Sequence, residues 1–199
     1  PADFDPYLDA NQTEEIYNKD LDERVEMYSD EAIEASKEIS FDVIHAHDWL
    51  TAIAALKIRE KSGKPLIFHV HSLNYDRAGP DEQGQIYNLE KQVLQKADHV
   101  IAVSHYTKKI CIDYYDADPE KISVIHNGIS PIQAYRHPKP FPDHLVVFLG
   151  RMTRQKGPSH FLEIARKVLS QISNVRFVMA GTGDQLKTLM TKSIRLGIA

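Results

Sequence analysis

From Asp42 onward, short runs rich in β-branched residues alternate with amphipathic stretches. "DVIHAH" (42–47), a helical pattern to Lys61, "PLIFHVH" (65–71), a helical pattern over 85–96, "HVIAVS" (99–104), another over 107–115 and "ISVIH" (122–126) follow in order. Strands separated by helix-length stretches predict a parallel sheet with crossover helices, the α/β class. Upstream, Tyr17, Leu21, Val25, Tyr28, Ala32, Ala35 and Ile39 recur at spacings of three and four. That spacing predicts one long helix over about 14–39 with this stripe buried and Thr13 as its cap. Residues 129–144, "ISPIQAYRHPKPFPDH", carry Pro131, Pro138, Pro140 and Pro142 and break the rhythm, as a linker does. A second cycle then opens with "LVVFLG" (145–150), a helix over roughly 158–171, "VRFVMAG" (175–181) and a helix over 184–196. The expected organisation is most of one Rossmann-like domain over 1–128, a linker over 129–144 and the start of a second such domain over 145–199.

Charge removes some partners. The formal net charge is −4 with both signs mixed along the chain, which gives no electrostatic reason to expect nucleic acid or an anionic membrane. Any anion must be bound locally. Cys111 is the single cysteine, so no disulfide forms within the chain, and no apolar run approaches the roughly 20 residues of a membrane span. A reducing cytoplasm is the expected location. The chain opens on "PADFDPYLDA" without an initiator methionine and stops at "LGIA" where a further strand is expected, so it reads as a fragment.

In open α/β sheets, ligands lie beyond the carboxyl ends of the strands. Polar residues gather there: Asp48 and Trp49 after the first strand, His71 after the second, Ser104 after the third, Asn127 and Gly128 after the fourth. Each also has a structural reading, Asp48 and Ser104 as helix caps and Asn127-Gly128 as a turn. Two His-x-His runs invite a metal, because residues i and i+2 of a strand share a face. His45 with His47, or His69 with His71, would present paired imidazoles, with Asp48 as a third ligand, in a metal-dependent hydrolase. No later histidine or cysteine cluster completes the set, and strands buried on both faces hold such histidines without a ligand role, so His45 and His69 are expected in the core. The second half gives a sharper signal. "FLGRMTRQKG" places Arg151 after a strand glycine and Lys156 just before a helix start at Gly157-Pro158, an arrangement suited to a diphosphate. Arg154 on the same turn has the reading of a solvated surface charge. "AGTGDQ" (180–185) lacks the third glycine of a dinucleotide fingerprint, and no Walker lysine follows.

The linked segments "DVIHAHDWLT", "HVHSLNYDR", "ADHVIAVSHYT", "VIHNGI", "GRMTRQKG" and "FVMAGTGD" resemble, in order and spacing, family-four retaining glycosyltransferases of the GT-B fold, nearest to the glycogen-synthase-like branch. The resemblance runs from about residue 20 to the end. It implies two Rossmann-like domains with an active site in the cleft between them, and transfer of a sugar, glucose in the first instance, from an ADP- or UDP-sugar donor to a glycan acceptor without metal or cofactor. It further implies that Arg151 and Lys156 hold the donor diphosphate, that His71 reaches the donor sugar, and that Asp48 sits beside the sugar pocket with Trp49 packing. Gly181 and Gly183 would lie on a loop where small residues let the ligand approach. The family's N-terminal strand with its glycine-rich loop, and its later segment with a pair of glutamates, have no counterpart here. A non-catalytic sugar-binding remnant of the same fold therefore stands as an alternative.

Overall fold

The computed structural model describes residues 21–131 and 141–199, which fall in two compact units. Thr13 and Tyr17, and residues 132–140 of the expected linker, lie outside the described residues.

The first unit opens with helix α1 (Leu21–Glu38) and continues through β1 (Ile44–His47), α2 (Asp48–Ser62), β2 (Leu66–Val70), α3 (Asn74–Ala78), α4 (Gln85–Lys96), β3 (His99–Ala102), α5 (His105–Tyr115), a 3-10 turn and β4 (Ile122–Val124). The four strands pair in parallel in the order β1-β2-β3-β4, as the alternation of strand and helix patterns requires. Leu66, Phe68, Val70, Val100, Ala102 and Ile122 point to one face and are buried. They pack in one cluster with Ala52 and Ala55 of α2, Val93 and Leu94 of α4, and Ile110, Cys111 and Tyr115 of α5. At about 25 cal/mol per Å² of apolar surface this face supplies the main driving force of the unit. Burial pushes the Cys111 thiol up to about 12, so it stays a protonated packing residue.

Two expectations change. The strands are buried on one face only among the described residues: His45 and His47 are exposed, and Ile67, His69, His99 and Ile101 are half-buried. All crossover helices of the cluster lie on the opposite side, so among the described residues His45 is exposed and not in the core. The stripe of α1 is also rotated. Val25, Ser29 and Ile33 are buried, whereas Tyr28, Ala35 and Ile39 are exposed. The row i, i+4, i+8 faces α2, and a serine fills its middle, where small size decides rather than apolarity. Trp49 packs as expected, lining a half-open pocket of about 360 Å³ with Val25, Ile53, Ile86 and Leu89, and Glu26 and Gln85 beside them.

A network that periodicity does not announce holds the chain after β2. The Glu90 side chain of α4 is 1% exposed and forms an ion pair with Arg77 at 2.6 Å. Its carboxylate also accepts the Asn74 backbone N–H at 2.8 Å and the Tyr115 hydroxyl at 2.8 Å. Burial raises its pKa, while those donors oppose the rise. The five-residue helix α3 is thus bolted to α4 and α5. At the other end of the sheet, Asp98 accepts from Arg59 and from the Leu66 N–H, and the Arg59 hydrogen bond holds its carboxyl at about 2.

The second unit contains β5 (His144–Leu149), a 3-10 turn (Arg154–Lys156), α6 (Pro158–Leu169), β6 (Val175–Ala180) and α7 (Leu186–Leu196). β5 and β6 pair in parallel from His144 with Val175 to Leu149 with Ala180. The strand therefore already begins at His144. Met152, Leu162 and Leu189 form the buried centre, with Phe148, Met179 and Leu186 against it.

Removing the Glu90 carboxylate strands Arg77 and the Asn74 amide, so Glu90→Ala is expected to destabilise the fold by about 3 to 5 kcal/mol in urea unfolding. A loss below about 1 kcal/mol would show that the network is not required.

Candidate functional site

In the first unit the candidate residues lie where β1 and β2 end. Register aligns His47 with His69, so His45, His47, His69 and His71 share one face. The His47 Nδ1 and His71 Nε2 atoms are 3.0 Å apart, a hydrogen bond whose donor depends on the tautomers. The rings of His45 and His69 are parallel with centroids 5.5 Å apart, and His69 stacks on His71 at 4.3 Å. Burial first, and neighbouring imidazoles next, lower the pKa of His47 and of His69, which favours neutral rings. His71 is exposed, immediately past β2, and the structure therefore leaves it open to a ligand. The sequence names His47 only as a partner of His45, because each His-x-His run is judged there alone. The register joins the two runs and brings ring nitrogens of His45, His47 and His69 within 4.8 Å of one another, a set that the sequence leaves incomplete.

Asp48 does different work from the ordinary cap and from a residue aimed only at substrate. Its Oδ1 accepts the His71 N–H at 2.7 Å and the Ser72 N–H at 3.3 Å, tying the end of β2 to the start of α2. It does so from φ = 55°, a backbone region disfavoured for a residue with a Cβ. Capping at that helix start passes to Thr51, whose hydroxyl accepts the His47 N–H at 2.8 Å. Ser104 is the cap it looked to be, accepting the Thr107 N–H at 3.0 Å. Asn127 and Gly128 are exposed and follow β4 without regular structure.

In the second unit, Arg151 leaves the end of β5, and Arg154 and Lys156 bound the 3-10 turn that leads into α6 with Pro158 as its first residue. All three cations are exposed, and among the described residues none has a carboxylate partner. The Thr153 hydroxyl between them is shielded from solvent and has no hydrogen-bond partner among the described residues. Unpaired cations and an unpaired hydroxyl before a helix start suit an oxyanion.

Gly181 and Gly183 follow β6, as expected, but backbone packing accounts for them. A Cβ on Gly181 would stand 2.0 Å from the Gly150 carbonyl oxygen, and one on Gly183 would stand 2.6 Å from that of Met152. Both have positive φ, 143° and 153°. The loops after β5 and β6 continue the parallel pairing, with Gly150 N donating to Ala180 O and Met152 N to Thr182 O. These glycines let the loop that carries Arg151 lie against the next one.

Comparison with known proteins places this geometry. The profile described as "Glycosyltransferase Family 4" matches residues 24–133, more than half of the chain, and that described as "Glycosyl transferases group 1" matches 132–199. The alpha-maltose-1-phosphate synthase of Mycolicibacterium smegmatis is 32% identical over 161 residues, 71% of this chain and 41% of that protein. A D-inositol 3-phosphate glycosyltransferase of Frankia alni is 28% identical over 183 residues, 82% of this chain and 44% of that one. Among solved structures, sucrose-phosphate synthase from Thermosynechococcus elongatus aligns with a TM-score of 0.70 at 18% identity, over 92% of this chain and 49% of that one. The chain spans less than half the length of each of these proteins.

Two substitutions separate support from chemistry. Asp48→Ala is expected to lower stability by about 1.5 kcal/mol, whereas Asp48→Asn keeps an acceptor for the His71 amide and most of that stability. Urea unfolding measures both, and turnover lost in Asp48→Asn at unchanged stability would give the carboxylate charge a direct part in the reaction. Gly181→Ala is expected to cost more than about 1 kcal/mol in unfolding free energy, because the added methyl meets a carbonyl at positive φ. An unchanged melting curve with weakened nucleotide binding would make Gly181 ligand-facing instead.

Proposed function

From the premise that the chain belongs to Glycosyltransferase Family 4, we propose that the protein transfers a sugar from a nucleotide diphosphate donor to a hydroxyl acceptor with retention at the anomeric carbon. The two α/β units are of the GT-B type. In this reading residues 1–128 belong to the acceptor side, 129–144 to a linker and 145–199 to the donor side.

The observation that carries the reading is the set of groups after β5 that have no partner among the described residues. Arg151 grips phosphate oxygens with parallel donors, Lys156 adds a compact charge at the start of α6, and the Thr153 hydroxyl supplies a further donor. In the reaction the bond from the anomeric carbon to the phosphate oxygen breaks, and its electron pair leaves with the diphosphate. The acceptor oxygen bonds to the same carbon from the same face and gives its proton to the departing diphosphate oxygen. Negative charge grows on the departing diphosphate, so fixed cations there stabilise the transition state more than the ground state. Gly181 and Gly183 keep the adjoining loop close enough for the Arg151 turn to hold its shape. His71 reaches the donor sugar, and Asp48, by fixing the His71 amide, orients it beside the sugar pocket.

Glucose as the transferred sugar, and an α-glucan or related glycan as acceptor, are supported by the relative named for alpha-maltose-1-phosphate synthesis, since maltose is an α-linked glucose disaccharide. The donor is an ADP- or UDP-sugar. Family membership favours this reading over the metal-dependent hydrolase.

In the full-length enzyme, Arg151→Ala and Lys156→Ala are each expected to cost about 1.5 to 3 kcal/mol in product-nucleotide binding, and more in turnover. Arg154→Ala is the control, with the same charge on the same turn but no assigned phosphate contact. Donor turnover and nucleotide affinity for the three variants at two salt concentrations decide the matter. Equal losses in all three would reduce the clamp to a diffuse basic patch.

A further inference from the structure

The open face of the first sheet holds three histidines, His45, His47 and His69, to which the proposed sugar transfer gives no role, beside His71, to which it does. His45, His47, His69 and His71 project from neighbouring positions of β1 and β2 and the residue after β2, with successive ring centroids 4.3 to 5.5 Å apart. One ring nitrogen each from His45, His47 and His69 lies within 4.8 Å of the other two. The His71 Nε2 stands 3.0 Å from His47 Nδ1, so a fourth imidazole borders the group. Both ring nitrogens of His69 are shielded from solvent and have no hydrogen-bond partner among the described residues. A buried imidazole with neither nitrogen paired has given up its hydration with nothing in return, and such groups call for an explanation.

We propose that His45, His47 and His69 form a binding site for a divalent first-row transition ion of the zinc and cobalt class, with His71 within reach as a fourth ligand. Three imidazoles without a carboxylate select such ions over magnesium or calcium, which take oxygen ligands. Small rotations of the exposed His45 and His47 rings close the set from its present spacing toward the roughly 2.0 to 2.1 Å zinc–nitrogen distance, which brings ligand atoms nearer one another. The bound ion takes up a lone pair of His69 and cross-links β1 to β2 across the sheet face. The sequence alone conceals this site because its third ligand comes from strand register, not from spacing. Its three-histidine core stands independently of the sugar-transfer reading, and only His71 is shared between the two.

The test is a Co²⁺ titration of the metal-free full-length protein, followed by visible absorption and then displacement with Zn²⁺. One equivalent is expected to bind with the d–d bands of nitrogen coordination, and Zn²⁺ is expected to bleach them and raise the melting temperature. His45→Asn changes an exposed side chain outside the proposed reaction. It should weaken the Co²⁺ affinity by more than about tenfold, a loss that even an outer-shell partner can produce. His69→Phe keeps the stacked ring, removes both nitrogens and should abolish saturable binding. His99→Asn, on the same sheet face but bonded to Ser123, should leave the affinity unchanged. Absence of saturable Co²⁺ binding in the unaltered protein overturns the site. So does an affinity unchanged in His45→Asn, which decides the question alone if His69→Phe fails to fold.

Discussion

The first unit depends on one buried carboxylate. Glu90 is enclosed by α3, α4 and α5, and an ion in that place survives only because donors converge on it from several chain segments. Arg77 and the Asn74 amide come from the segment just after β2, and Tyr115 comes from the end of α5. The Tyr115 hydroxyl also accepts the Tyr75 N–H at 3.2 Å, and burial raises its pKa, so it remains a donor to Glu90. An apolar residue at position 90 would fill the space without specifying where the 71–78 segment goes. The carboxylate specifies it, because only one path of that segment presents an amide and a guanidinium together.

From this anchor the geometry at the strand ends follows. Arg77, held by Glu90, donates to the Ser72 hydroxyl at 3.0 Å, and the Ser72 and His71 amides in turn reach Asp48. Asp48 tolerates a disfavoured φ at the head of α2 because that position lets one oxygen gather two amides from the next strand. His71 is therefore exposed in its side chain and fixed in its backbone. A residue that must meet a ligand repeatedly in one orientation needs that combination.

Period and punctuation made the alternation of strands and helices legible, and all six strands lie where short β-branched runs predict them. The same signals misplace what depends on neighbours. The stripe of α1 is set by its packing on α2, so Ser29 is buried and Tyr28 is not. Helix α3 spans five residues, too few for a 3.6-residue period to register. An apolar strand reads as buried on both sides whether or not a layer covers each side, hence the misjudged His45. Among the candidate residues, Arg151 and Lys156 were visible because a charge between a strand glycine and a helix start is unusual. Glu90 was invisible because a glutamate in an amphipathic helix looks solvated until its partners are known.

Among the described residues the Arg151–Lys156 turn forms no ion pair. Elsewhere the cations near carboxylates are engaged: Arg59 with Asp98, Arg77 with Glu90, Lys91 with Asp116, Lys109 with Asp113, Arg176 with Asp143 and Lys192 with Glu163. In a chain with a formal charge of −4 carboxylates are not scarce, yet among the described residues none pairs with the Arg151–Lys156 turn. A carboxylate placed there would compete with any anionic ligand for the same donors and would have to be displaced on binding. A turn without such a partner would keep its attraction for an anion undiminished, while the close backbone contacts at Gly150 and Met152 hold the loop in shape. In the proposed clamp, rigidity would come from the backbone and affinity from the side chains, which is the division anion binding requires.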